Sequence, residues 1–398
     1  MVVGAGVAGL RACEALRELG FGGRLRLIGR ENRLPYDRPP LSKQLLAGAW
    51  DIDRCTLRTS RELEALGIEL DLGSVAAHLD VVGRTLVLSD TRRVSFDGLV
   101  IATGARPRLL PGVTGRPGVL TLRDLDDAIM LRTLISRPGA RLVIAGAGFI
   151  GLEVAATARG LGCEVTVVEP LAFPLERAVG PLVGAVCERV HRDRGVDLRL
   201  ATRLESVAAG TLRDTGVTCR LSDGSSIEAD GLLVAVGAIA ATSWLTGSGL
   251  DVDLEGLNCD ASLTAAPGVV AAGDLVRWPH PLTGELLRVE HRTNAAEQGE
   301  HAARSLLAGD GARPGFAPVP YVWSDQYDRK IQVIGMPRSS DETAVVDGSL
   351  EDRSFLVLFG RAGRLTGAVG FNRSRPLMAY RRLLEQGAGF AEALALTP

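Results

Sequence analysis

RLVIAGAGFIGLEVAATARGLGCEVTVVEP, residues Arg141 to Pro170, decides the fold. A short apolar run, Leu142 to Ala145, has the form of a buried parallel strand. Gly146, Gly148 and Gly151 follow in the spacing G-x-G-x-x-G, and an apolar-periodic segment from Phe149 to Leu161 predicts a helix. A second apolar run, Val165 to Val168, ends in Glu169. The unit is therefore strand, glycine turn, helix, strand and acid. Gly146 allows the tight turn, Gly148 lets a pyrophosphate approach the backbone, and Gly151 lets helix and strand pack closely. The helix N-terminus offers free N–H groups and a partial positive charge to phosphates. Glu169 can accept both hydroxyls of an adenosine ribose and repel a 2′-phosphate. The competing reading, a glycine-rich turn of some other α/β protein, does not account for the acid about 20 residues on.

The N-terminus repeats the unit. Gly4, Gly6 and Gly9 keep the same spacing, Val7 to Leu19 is helical in pattern, Leu25 to Ile28 is the next strand, and Glu31 follows it. Two such units suggest one dinucleotide that stays bound and another that visits. Between them, PYDRPPLSK (Pro35 to Lys43) carries adjacent prolines that predict an extended, rigid strap able to hold Lys43 in a defined place, the alternative being a surface loop with an exposed lysine. Lys43 and Lys330 are the only lysines among 45 basic residues, so the strap lysine stands out. Leu99 to Ala105 is a buried strand running into a glycine turn at Thr103-Gly104. Gly268 to Asp274 is a strand ending in Gly-Asp, followed by a helix over Thr293 to Leu307. Within the second unit, Val196 to Leu200 predicts a strand. Thr218 to Leu221 and Ile227 to Glu228 predict a hairpin turning at Asp223-Gly224, and Leu232 to Val236 a strand closed by Gly237. The segment after Pro320 alternates short β-like runs with a closing helix, about Arg375 to Gln386.

With 398 residues the chain holds two or three domains. A net charge of −2 argues against nucleic acid or an anionic membrane as partner, and no apolar run is long enough to span a bilayer. The six cysteines form neither C-x-x-C nor C-x-x-x-x-C, so no zinc site or local redox disulfide is predicted, and a reducing cytoplasm fits. Cys13 and Cys163 fall on predicted helices, as small buried thiols.

VVGAGVAGL, PYDRPPLSK, ATGARPR, GAGFIGLEVAATA, AAGD, NAAEQG and VPYVWSDQYDRKIQ together resemble the NADH-dependent ferredoxin reductases of bacterial oxygenase systems, of the putidaredoxin reductase type. The resemblance implies an α/β fold with two Rossmann-like, glutathione-reductase-like dinucleotide domains and a smaller α+β C-terminal domain. The FAD domain would comprise residues 1–110 and 238–317, the NADH domain 111–237 and the C-terminal domain 318–398. It implies FAD at Gly4, Gly6, Ala8, Gly9, Glu31, Lys43, Ala76, Thr103, Gly104, Arg123, Asp274, Arg292 and Trp323. It implies NADH at Gly146, Gly148, Phe149, Ile150, Gly151, Glu153, Glu169 and Gly237. Lys43, Glu153 and Trp323 would serve the chemistry: Lys43 as a positive charge beside the flavin, Glu153 holding Lys43 and orienting the nicotinamide amide, and Trp323 close to the isoalloxazine.

The implied partner is an acidic [2Fe–2S] ferredoxin, bound transiently and steered by Arg277, Arg288 and Arg292, which feeds a cytochrome P450 or Rieske-type oxygenase. Three positions depart from the family pattern. Arg30 replaces a ribose acid, with Glu31 as its substitute; Phe173 replaces an Arg near the NAD adenosine; and Arg292 replaces an apolar or aromatic residue beside the flavin. Rubredoxin is a nearer alternative partner. Cysteine-dependent NADH oxidases, peroxidases and disulfide reductases are a more distant class, as is a non-enzymatic protein resembling apoptosis-inducing factor. The cysteine-dependent class needs a redox cysteine where this chain has Ser42 and, past the strap, Cys55.

Overall fold

The computed structural model describes residues 1–396 except Thr114, Thr211, 213–215 and Asp310; the last two residues of the C-terminal segment lie outside this set. The chain divides into two compact units. One comprises Met1–Asp37, Asp53–Arg106 and Ala238–Pro320, the other Arg38–Ile52, Pro107–Gly237 and Tyr321–Pro398.

The first unit is built on a six-stranded sheet. Its order is Thr264–Ala266, Val269–Ala271, Leu99–Ile101, Val2–Val3, Leu25–Gly29 and Ile68–Leu72. All neighbours are parallel except the first pair. The N-terminal strand is only two residues long, yet it pairs on both edges, with Val2 opposite Leu27 and Val100. The inner strands Val2–Val3, Leu99–Ile101 and Val269–Ala271 are unbroken buried apolar runs, as in a parallel sheet covered on both faces, whereas Leu25–Gly29 and Ile68–Leu72 carry Arg26, Glu69 and Asp71. Helix Val7–Glu18 turns Leu10, Cys13 and Leu16 into a core shared with Leu27, Val100 and Val270. Helix Arg292–Ala308 packs along it, with Ala302 and Ala303 in the same core. A Cβ at Gly299 would meet Ala8 O at 2.3 Å, so this glycine sets how close the two helices lie. Fully burying a Leu or Val side chain stabilises by about 1.5–3 kcal/mol.

The second unit contains a five-stranded parallel sheet in the order Asp197–Arg199, Glu164–Val168, Arg141–Ala145, Gly231–Val234, Val119–Leu120. Helix Phe149–Gly160 connects the central strand Arg141–Ala145 to its neighbour Glu164–Val168. The expected hairpin is present as Val217–Leu221 paired with Ser226–Ala229, turning at Gly224 with φ of +83°. A third strand, Leu204–Ala209, joins it, and its weak alternation did not predict it. Residues 321–396 form a five-stranded antiparallel sheet, in the order Tyr321–Gln326, Arg329–Gly335, Arg364–Phe371, Ser354–Arg361, Glu342–Ser349. Helices Ser374–Glu385 and Phe390–Ala395 follow.

The strap corrects the sequence reading. Pro39–Ser42 is one turn of 3-10 helix, not an extended segment. The proline φ near −65° suits a first helical turn as well as an extended chain, and the missing N–H is one that a first turn leaves unpaired anyway. The Lys43 N–H closes the turn on Pro40 O at 3.0 Å. Among the described residues, no helix is long and apolar enough to cross a membrane.

Candidate functional site: two glycine cradles and a buried ion pair

In the first unit the three glycines of the N-terminal motif have three different surroundings. Gly4 has φ of +118°, and a Cβ there would lie 2.0 Å from Ala102 O. A Cβ on Gly9 would lie 1.9 Å from Gly4 O. Both positions are closed by the protein's own backbone. Gly6 differs: nothing lies within 4 Å of its Cβ position, and it caps helix Val7–Glu18 with no side-chain cap. The folded chain itself gives no steric reason for glycine at Gly6. The open space beside uncapped N–H groups suits a pyrophosphate.

The second unit repeats this arrangement. Gly146 (φ +105°) would place a Cβ 2.4 Å from Ala235 O, and Gly151 one 2.1 Å from Gly146 O. Gly148 is open, exposed and uncapped. Gly237, with φ of +99°, also faces open space. Phe149 is half-buried and Ile150 exposed on the first turn. Glu169 is half-buried and accepts from Ala147 N of the glycine turn at 2.7 Å and from Leu171 N of its own loop at 3.0 Å. The acid thus shapes the turn that it borders.

The remaining residues assigned to FAD fall into two groups. Gly4, Gly6, Ala8, Gly9, Glu31, Ala76, Thr103, Gly104, Asp274 and Arg292 belong to the first unit; Lys43, Arg123 and Trp323 belong to the second. Glu31 accepts the Tyr36 hydroxyl at 2.6 Å. Thr103 Oγ1 donates to Ala241 O at 2.9 Å, and Gly104 (φ +69°) accepts from Ala241 N at 2.9 Å. Asp274 follows Gly273, whose N–H donates to Gln298 Oε1 at 2.7 Å. His291 caps the next helix, and burial pushes its imidazole down to about 4, opposed by Asp274. Ala76 opens strand Ala76–Asp80 and is half-buried. In the second unit, Arg123 N donates to Asp127 Oδ2 at 2.8 Å, and Arg123 O accepts from the Arg38 guanidinium. Trp323 is half-buried and stacks on Tyr321, with ring centroids 5.9 Å apart.

The three arginines expected to steer a partner are each paired with an acid. Arg277 meets Asp253 at 2.5 Å, Arg288 meets Glu290 at 2.6 Å, and Arg292 meets Asp37 at 2.9 Å. Arg292 is therefore a pinned cation, not a free solvated one.

Lys43 and Glu153 form a buried ion pair in the second unit, 2.6 Å from Nζ to Oε2, with side chains 12% and 5% exposed. Oε2 also accepts the Ser42 hydroxyl at 2.5 Å, and Oε1 accepts Ser324 Oγ at 2.7 Å. Thr157, one helical turn beyond Glu153, donates to Ser42 O at 2.8 Å and fastens the strap to the helix. The buried Glu153 carboxylate thus accepts from an ammonium and two hydroxyls, two donors on Oε2 and one on Oε1, which leaves Oε1 able to accept once more. Sequence reading missed Ser42 and Ser324 as parts of this cluster. Ser324 lies on the buried face of strand Tyr321–Gln326, where a Ser and a Gln two residues apart share one side. That polar pair on an inward face was the only available signal.

None of the six cysteines is in a disulfide, and all are buried. Burial pushes the thiols of Cys13, Cys163, Cys187 and Cys219 up to about 12, and that of Cys259 upward as well. Such thiols stay protonated and unreactive at neutral pH. Among the described residues, no cluster of His, Cys, Asp and Glu could hold a metal ion.

Two family models match, pyridine nucleotide-disulphide oxidoreductase over residues 1–299 and reductase C-terminal over 321–398. Rhodocoxin reductase of Rhodococcus erythropolis is 36% identical, over 100% of this chain and 90% of its own length. The ferredoxin–NAD(+) reductase component of the anthranilate 1,2-dioxygenase system of Burkholderia cepacia is 37% identical, over 98% of this chain and 94% of its own. In the solved covalent putidaredoxin reductase–putidaredoxin complex, one chain superposes with a TM-score of 0.92 at 31% identity, covering 99% of this chain and 95% of that one. With both glycine cradles inside the first matched region and the antiparallel sheet inside the second, this chain belongs to the pyridine nucleotide-disulphide oxidoreductase family, in the branch that carries the reductase C-terminal domain.

Proposed function

We propose that this chain is an FAD-dependent NADH:ferredoxin oxidoreductase that passes electrons from NADH to a [2Fe–2S] ferredoxin serving a P450 or Rieske-type oxygenase. The observation that carries this reading is the pair of glycine cradles, each with an open middle position. The reading gives the cradle at Gly4, Gly6 and Gly9 to FAD, together with Ala8, Glu31, Ala76, Thr103, Gly104, Asp274 and Arg292. It gives the cradle at Gly146, Gly148 and Gly151 to NADH, with Phe149, Ile150, Glu169 and Gly237. Residues 1–110 and 238–317 then form the FAD domain, 111–237 the NADH domain and 318–398 the C-terminal domain. Full-length similarity to ferredoxin reductase components supports the choice of acceptor.

FAD, when bound, accepts a hydride from NADH and releases electrons singly, which matches a two-electron donor to a one-electron acceptor. The chain's own work is to bind and orient. Lys43 supplies fixed positive charge at the flavin, with Arg123 and Trp323 as further contacts, and Glu153 holds Lys43 and accepts from the nicotinamide carboxamide. The ionised Glu169 disfavours a 2′-phosphate and so selects NADH over NADPH. No protein acid or base is required for hydride transfer, and the pinned, buried Glu153 suits orientation better than proton traffic. The high thiol pKa values and intact Ser42 speak against a cysteine-dependent reductase.

Anaerobic titration tests the proposal. The purified protein should be yellow, NADH should bleach it, NADPH should do so far more slowly, and an added [2Fe–2S] ferredoxin should restore the colour. Failure of NADH to bleach the flavin would overturn the reading; bleaching without reoxidation by any ferredoxin would overturn the acceptor.

A further inference from the structure

The buried carboxylate of Glu153 is the end of a longer hydrogen-bonded chain. Ser324 Oγ donates to Glu153 Oε1 at 2.7 Å, and Gln326 Nε2 donates to Ser324 Oγ at 3.1 Å. Gln326 Oε1 lies 3.0 Å from His191 Nε2, and His191 Nδ1 lies 3.5 Å from the Tyr327 hydroxyl. His191 and Ser324 are 0% exposed and Gln326 is 1% exposed. All of these residues belong to the second unit, on helix Phe149–Gly160, helix Glu176–Arg192 and the edge of the C-terminal antiparallel sheet.

The chemistry of each group sets the direction of the whole chain. An ionised carboxylate can only accept, so Ser324 must spend its single proton on Glu153. Ser324 then accepts from Gln326, which puts the amide N–H₂ toward Ser324 and the amide oxygen toward His191. An amide oxygen can only accept, so His191 carries its proton on Nε2 and leaves Nδ1 as an acceptor facing the Tyr327 hydroxyl. No member can turn over without orphaning a buried neighbour. Burial keeps His191 neutral, pushed down to about 4, and keeps the Tyr327 hydroxyl protonated, pushed up to about 12. Tyr327 is itself clamped, with the Arg194 guanidinium 4.5 Å over its ring.

We propose that Gln326 and His191 are positioning residues: through Ser324 they fix the rotamer of the Glu153 carboxylate, so that the C-terminal sheet sets how the nicotinamide is oriented. The inference rests on the proposed role of Glu153 at the nicotinamide. It gives the C-terminal domain, which carries no glycine fingerprint, a part in NADH chemistry.

The test compares binding of NAD⁺ and ADP-ribose to the oxidised holoenzyme, together with the flavin reduction rate at saturating NADH. ADP-ribose shares the adenosine and pyrophosphate but lacks the nicotinamide. Glu153→Gln should shift the NAD⁺/ADP-ribose affinity ratio against NAD⁺. Gln326→Met and His191→Leu should shift it the same way, about 3- to 10-fold, with ADP-ribose affinity kept within about 2-fold. His191→Gln restores an N–H donor at the Nε2 position and should recover both the ratio and the reduction rate. A shift in Glu153→Gln with parental ratios in Gln326→Met and His191→Leu overturns the inference and leaves the Glu153 reading intact. Parental ratios in all three variants overturn both. If Gln326→Met does not fold, the His191→Leu and His191→Gln pair decides: the inference is lost unless the first shifts the ratio and the second recovers it.

Discussion

The two glycine cradles follow one steric plan and differ in how they are finished. Gly4 and Gly9 in the first unit, and Gly146 and Gly151 in the second, are closed by backbone oxygens between 1.9 and 2.4 Å from where a Cβ would sit. Gly6 and Gly148 are both open. Gly6 is half-buried, however, whereas Gly148 and Ile150 are exposed. The acids differ as well. Glu31 accepts from a side chain, the Tyr36 hydroxyl, and Glu169 from two backbone N–H groups, Ala147 in the glycine turn and Leu171 in the loop after its strand. The sheltered cradle suits a resident cofactor and the exposed one a dinucleotide that comes and goes. The identical spacing hides this, because G-x-G-x-x-G encodes the turn and not its depth.

Closed and open glycines should respond in opposite ways to substitution. Gly4→Ala combines a positive φ with a carbonyl 2.0 Å from the new methyl. Since neither partner is a flexible side chain, soluble folded protein should be lost, as measured by yield and circular dichroism. Gly148→Val should instead keep the melting temperature and lose NADH binding by at least about 100-fold, because the side chain fills only open space until a pyrophosphate arrives. A melting temperature lowered as much as in Gly4→Ala would erase the distinction between the two kinds of glycine.

The difference between the acids sets the next effect. Glu169→Ala removes both a candidate ribose acceptor and the partner of Ala147 N. It should raise the KM for NADH about 10- to 100-fold and narrow the preference over NADPH, as a lost charge-assisted hydrogen bond is worth about 1.5–3 kcal/mol. Unchanged steady-state kinetics with both nucleotides would remove Glu169 from the nucleotide site.

One histidine in each unit, His291 in the first and His191 in the second, is pushed from 6.5 down to about 4 by burial. The folded state then binds fewer protons than the unfolded state between these values. Stability should be fully present above about pH 6.5 and fall as the pH drops toward 4, by up to about 3 kcal/mol per histidine. His191→Leu should remove its share of this acid sensitivity; a melting curve as steep in acid as the parent's would show that His191 is not buried neutral. Phe173→Arg has the smallest expected effect: a cation restored near the visiting adenosine should lower the KM for NADH about 2- to 3-fold, read from initial rates.

Both cradles, the strands flanking them and the helix Arg292–Ala308 were legible because each rests on local rules: glycine geometry, apolar runs and helical period. The strap was misjudged locally. Pro39-Pro40 permits both an extended chain and a 3-10 turn, and the Pro40 O bond to Lys43 N selects the turn. Lys43 and Glu153 were visible as candidates, whereas Ser42, Ser324, Gln326 and His191 were not. Their meaning depends on what faces them from segments 111 to 171 positions away in the chain. The acid partners of the three steering arginines were hidden for the same reason: Asp253, Glu290 and Asp37 meet them only in the folded chain.

The sequence by itself determined that this chain carries two dinucleotide-binding units and an acid after each, because those features follow from backbone sterics over about 30 residues. Only the tertiary structure decided which glycines are closed and which are open, which cations are already spent on acids, and which polar groups aim at Glu153. Those outcomes depend on distances between residues far apart in sequence, and a hydrogen bond is made or lost within a few tenths of an ångström.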